Sequence, residues 1–99
     1  MLRIVNKSPF EKTALESCLR IARPGNALLL IEDAVYAATR GNALAERMIL
    51  AAQTLDVYAL TPDLEARGMQ GAAIDGVRLI DYAGFVDLVA AHDSVQSWL

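Results

Sequence analysis

The side chains whose chemistry could matter are few. The single cysteine, Cys18, is the obvious nucleophile. As a functional residue it would accept sulfur as a persulfide, which calls for an accessible thiolate of low pKa. Its setting predicts the opposite. A helix read from Ser8 puts Cys18 about ten residues in, too far for the positive helix end to stabilise a thiolate. Cys18 also falls in the stripe Leu15, Cys18, Leu19, Ala22, where a cysteine packs as a small hydrophobe. Arg20 is near in sequence but projects elsewhere around the helix. Glu32 and Asp33 follow an apolar run at what should be the carboxyl end of a strand, the edge where open α/β sheets bind ligands. Asp33 is equally placed to cap the helical turn after it. His92 stands near the end of the last helix, where it offsets the helix dipole; no acid–base partner is recognisable beside it. Trp98 suits either an anchor in a partner interface or a lid on its own core.

Several chemistries fail on spacing. After the first apolar run stands Asn6-Lys7-Ser8-Pro9 rather than a Gly-x-Gly-x-x-Gly turn, and the chain has no Gly-x-x-x-x-Gly-Lys-Ser/Thr loop for phosphates. One cysteine and one histidine cannot complete a four-ligand zinc site within the chain. A phosphoacceptor receiver would need an acidic pair after the first strand and an aspartate after the third. Asn6-Lys7 and Leu60-Thr61 stand there instead. No metal and no organic cofactor are therefore expected.

Elements must position these residues, and the composition says what kind. Ninety-nine residues suggest one domain, 1–99. Hydrophobic residues make up 55%, above the ~45–50% usual in soluble domains. A domain of this size buries only about 60–65% of its unfolded surface, so the surplus points to a partner subunit. The net charge is −3, and the basic residues form no stripe of the kind a nucleic-acid binder presents. The longest apolar run, Ala27–Ile31, is far short of the roughly 20 residues of a membrane span. The first residues read as a strand rather than a signal peptide, and a lone cysteine agrees with a cytoplasmic setting.

Apolar runs alternate with helical patterns. Strands are expected at Leu2–Asn6, Ala27–Ile31, Asp56–Leu60 and Val77–Ile80. The first helix is read from a capping box of Ser8 and Glu11, with Pro9 in the first turn, and Pro24-Gly25-Asn26 stops it. A helical turn is expected over Asp33–Thr39 and a helix over Ala43–Ala52. Thr61 is read as the cap of a short helix that Gly68 closes. Residues Met69–Gly76 read as a loop. Asp81 caps the last helix, whose core stripe is read as Phe85, Val86 and Val89. The tail Val95–Leu99 is expected to dock on something. This alternation predicts a three-layer αβα fold around a mainly parallel sheet of four to five strands, flavodoxin-like in strand order.

Four blocks of sequence, in order, resemble the DsrH/TusB family. They are Val5-Asn6-Lys7-Ser8-Pro9-Phe10; Leu28 through Ala38; Val57-Tyr58-Ala59-Leu60 with Asp63 through Gly68; and Ile80 through Leu88, and the terminal Gln96-Ser97-Trp98-Leu99 fits the family's ending. The resemblance covers nearly the whole chain. It implies the DsrEFH-like form of the fold and the role of a small, non-catalytic or accessory subunit in a sulfurtransferase complex. The implied assembly is a dimer of heterotrimers with DsrE/TusD-like and DsrF/TusC-like subunits, and its principal sulfur-accepting cysteine lies on the DsrE/TusD-type partner. A TusA-like donor hands sulfur in, a DsrC/TusE-like acceptor takes it away, and this chain touches neither nucleic acid nor membrane. The segment Leu15-Glu16-Ser17-Cys18-Leu19 resembles the DsrH branch, which implies service to intracellular sulfur oxidation. The alternatives are the TusB branch, serving 2-thiolation of the tRNA wobble uridine, or Cys18 itself as a persulfide carrier. Persulfide relay is attack of a thiolate on the outer sulfur of a donor persulfide, and needs no cofactor.

Overall fold

A computed structural model describes residues 1–11 and 13–98. Leu99, the last residue of the tail expected to dock, lies outside them. The order of elements is β1 (Leu2–Val5), α1 (Ala14–Ile21), β2 (Ala27–Leu30), a 3₁₀ segment (Glu32–Ala38), α2 (Ala45–Ala51), β3 (Asp56–Leu60), α3 (Thr61–Ala66), β4 (Val77–Ile80), α4 (Tyr82–Ala90) and β5 (Val95–Trp98). The strands form one parallel sheet in the order β4-β3-β2-β1-β5. The three-layer α/β class is as expected. The strand order is not that of flavodoxin, because β2, β3 and β4 step away from β1 in one direction and only β5 returns to its other side.

That order dictates the layers. Crossovers between parallel strands are right-handed. Three steps in one direction therefore lay α1, the 3₁₀ segment, α2 and α3 on one face, and the step back lays α4 alone on the other. The two cores follow. Val5, Leu28, Leu30, Val57 and Ala59 pack under Leu15, Cys18, Val35, Met48 and Leu64. Leu2, Ile4, Ala27 and Leu29 pack under Phe85, Leu88 and Val89 of α4. β2 is buried at every residue, as a central parallel strand requires.

Several local expectations need correction. Ser8 does not cap α1: its hydroxyl accepts from the Phe10 amide at 3.2 Å in a local turn, and the helix starts at Ala14. Pro9 and Glu11 thus belong to the turn before it, where the serine bonds its own neighbours as readily as a helix end. Thr61 is the first residue of α3 rather than its cap. Gly68 closes α3 as read: with φ at 66° it donates to Glu65 O at 3.0 Å while Met69 donates to Leu64 O at 2.8 Å, the paired bonds of a Schellman ending. Asp81 caps α4, accepting from the Gly84 amide at 2.8 Å. Val86, however, is not in the core stripe. It is 65% exposed, and Leu88 takes its place against the sheet. The tail docks as β5, with Gln96 beside Arg3 and Trp98 beside Val5.

Burial predicts where substitutions matter. Leu28→Ala, at a fully buried central position, should cost about 2–5 kcal/mol in denaturant unfolding. Leu50→Ala, on the exposed side of α2, should cost under about 0.5 kcal/mol.

Candidate functional site

Cys18 is the fifth residue of α1, nearer the helix start than a Ser8 origin implied. It is nevertheless fully buried, inside the cluster formed by Val5, Leu15, Leu28 and Leu30. Burial pushes its thiol up to about 11, and the Arg3 guanidinium pulls it back only in part. At neutral pH the side chain is a thiol packed as a hydrophobe. Arg20 is exposed on the outer side of α1 and takes no part.

Arg3 is the residue that sequence reading missed. It lies on β1, facing α1, and is only 8% exposed. Its guanidinium donates to Gln96 Oε1 on β5, which also accepts from Trp98 Nε1 at 3.0 Å. The Arg3 Nε has no hydrogen-bond partner, and no carboxylate among the described residues pairs with it. A lone arginine inside the strand Leu2-Arg3-Ile4-Val5 was the available signal. Trp98 is partly buried and packs against the core of its own chain.

The carboxyl edge of the sheet holds Glu32 and Asp33 as expected, but not in a cap. The Asp33 carboxylate is bound by Arg67 through Nε and Nη2, each at 2.9 Å. The helical turn begins one residue earlier, at Glu32, with no side-chain cap. Glu32 takes a left-handed conformation, φ 49°, alone among the non-glycine residues described. Its amide donates to Asp63 Oδ2 at 2.6 Å, and Arg67 Nη1 donates to the Asp63 carbonyl at 3.0 Å. These contacts tie the loop after β2 to α3. They brace the edge rather than present a free acid and base. His92 donates from Nδ1 to Leu88 O over 2.8 Å, within its own helix end. Among the described residues no three His, Cys, Asp or Glu side chains converge as a metal site would require. No helix is long and apolar enough to cross a membrane.

The arrangement thus offers no assembled catalytic centre on the described residues, but a scaffold with one sequestered thiol. Residues 7–95 match the family described as DsrH like protein. The chain belongs to the DsrH/TusB family. It is 39% identical over 98 residues to Protein TusB of Pectobacterium parmentieri and 40% identical over 98 residues to Protein TusB of Escherichia coli K12, spanning 99% of this chain and all of each relative. Among solved structures it is similar to the ychN protein of Escherichia coli, with a TM-score of 0.81 and 25% identity over 97% of both chains. The named relatives are TusB proteins, although the segment around Cys18 resembles the DsrH branch.

Two measurements probe this site. The unfolded chain loses the Cys18 proton near 9.0, whereas the folded chain holds it to about 11. The folded state binds more protons in that interval, so stability is full below about 9 and falls as pH rises toward 11. Denaturant midpoints should show this slope, and Cys18→Ala should lack it. Glu32→Gly removes the Cβ clash of a left-handed residue, worth roughly 1–2 kcal/mol, against a glycine entropy cost of about 0.5–1 kcal/mol. Unfolding should report a small net gain in stability.

Proposed function

We propose that this chain is a docking subunit of a cytoplasmic persulfide-relay complex of the TusB kind, serving 2-thiolation of the tRNA wobble uridine. The observation that carries the reading is its end-to-end similarity to TusB proteins at about 40% identity. Burial of Cys18 and the raised thiol pKa support a docking role over a carrying one. The active cysteine then belongs to a DsrE/TusD-like partner, and this chain completes the surface on which that partner and a DsrF/TusC-like chain assemble. TusA-like donors and DsrC/TusE-like acceptors meet the complex rather than this chain's own thiol. Service to sulfur oxidation is the second reading, favoured by the Cys18 segment alone.

The test is to delete the gene and measure 2-thiouridine in bulk tRNA by mass spectrometry. Loss of the nucleoside, restored equally by the wild-type chain and by Cys18→Ser, is expected. Unchanged 2-thiouridine together with a block in sulfur oxidation would move the chain to the second reading. If Cys18→Ser assembles but does not restore thiolation, and the wild-type Cys18 peptide gains one sulfur atom after persulfide loading, the cysteine is a carrier. The native mass of the co-expressed complex should equal two copies each of three small chains.

A further inference from the structure

The two helical layers differ in what they show to solvent. α1 and α2 divide into a buried side, Leu15, Cys18 and Met48, and an outer side that sets the charged Arg20, Glu46 and Arg47 among the exposed Ile21, Ile49 and Leu50. α4 has no such division. Phe85, Leu88 and Val89 meet the sheet, yet its outer side carries Tyr82 at 61% and Val86 at 65% exposed, with Ala83 and Ala90 alongside, also exposed. A helix whose outer side is this apolar, with Asp87 its one charged residue, has the composition of a covered element, and among the described residues α4 is the only helix on its face of the sheet. Its backbone is also held firmly in place. Asp81 caps it, and Gly84 lets it approach β4 so closely that a Cβ there would lie 3.0 Å from Ile80 Cβ.

Charge decides what fits. Residues Tyr82–Ala90 contain one charged side chain, Asp87, next to the helix midpoint, and Asp81 and Asp93 flank the ends. No lysine or arginine lies on α4. The cation of the neighbouring strand, Arg78, stacks over Tyr58 at 5.7 Å and sits 3.8 Å from the Asp56 carboxylate. We propose that the outer face of α4 docks a different protein chain, one that presents an apolar ridge flanked by lysine or arginine. A second copy presenting its own α4 fits worse. Two α4 helices crossing at Val86 would bring their Asp87 carboxylates together with no cation on either helix, and like charges facing across an interface oppose association. The proposal rests on the reading of the chain as a subunit of a mixed complex and names the surface through which it joins.

The experiment co-expresses the full chain with the proteins encoded beside it and measures association by native mass and by titration. Val86→Asp and Asp87→Lys both sit on exposed positions, so the melting temperature of the isolated chain should hardly move. Each should weaken association about tenfold or more, as loss of an interface anchor does, and the wild-type affinity should fall with added salt. Leu50→Asp, 63% exposed on the opposite layer, should leave association unchanged. Wild-type affinity in both α4 variants would overturn the proposal, as would equal loss in Leu50→Asp. If the wild-type chain ignores its neighbours, the mixed-complex reading fails, and the isolated chain decides the surface by sedimentation. Self-association abolished by Val86→Asp would make the occupant a second copy, and a monomer at all concentrations would remove the docking surface. Either result overturns the proposal of a basic partner.

Discussion

A parallel sheet must be covered on both faces, and right-handed crossovers leave the chain little freedom in how to do so. Everything else in this structure follows from the way that constraint is met. Three successive strands step away from β1 in one direction, which stacks most of the helical mass on one layer. The opposite layer is left to whatever connects β4 with β5, and that connection holds a single nine-residue helix. The imbalance explains why hydrophobic side chains exceed what one small domain can bury. Part of that excess is Tyr82 and Val86 on α4, and part is Ile21, Ile49 and Leu50 on the opposite layer.

The thick layer shows the same logic in its polar atoms. β1 is central only because β5 returns to pair with it, and pairing seals Arg3 between the sheet and α1. A buried guanidinium raises the cost of leaving donors unmet, and Gln96, brought by β5, meets part of that demand. The same guanidinium faces the Cys18 thiol, where its pull is weaker than the effect of burial. Charge and sulfur are thus neighbours without forming an ion pair.

Much of this was legible in the residues. Four strands, the Asp81 cap, the Gly68 ending and the apolar character of Cys18 all follow from local chemistry, and so does the three-layer class. Local chemistry failed where two structures compete for one motif. Ser8-Pro9-Phe10-Glu11 satisfies a capping box and a tight turn equally well, and in the fold it forms the turn while α1 packs on the sheet through Leu15 and Cys18. Val86 looked like core because Phe85, Val86 and Val89 are all apolar, and periodicity cannot choose a face on a helix without a polar side. Asp33 looked like a cap because its competitor, Arg67, lies 34 residues away in the chain. Family resemblance was legible throughout the length, whereas the branch rested on a five-residue segment around one cysteine, and relatives of TusB name outweigh it.

The return of β5 to β1 has a consequence in time as well as in space. Arg3 meets a residue 93 positions later in the chain, so β1, an edge strand until β5 arrives, gains its second neighbour late. During synthesis β1 and β2 can pair early, since a short crossover joins them, but one side of β1 offers unpaired amides and carbonyls until residues 95–98 have been made. Long-range pairing of this kind slows folding, and an open apolar edge invites the wrong strand in the meantime. Both sides of β1 are therefore paired only once β5 is in place.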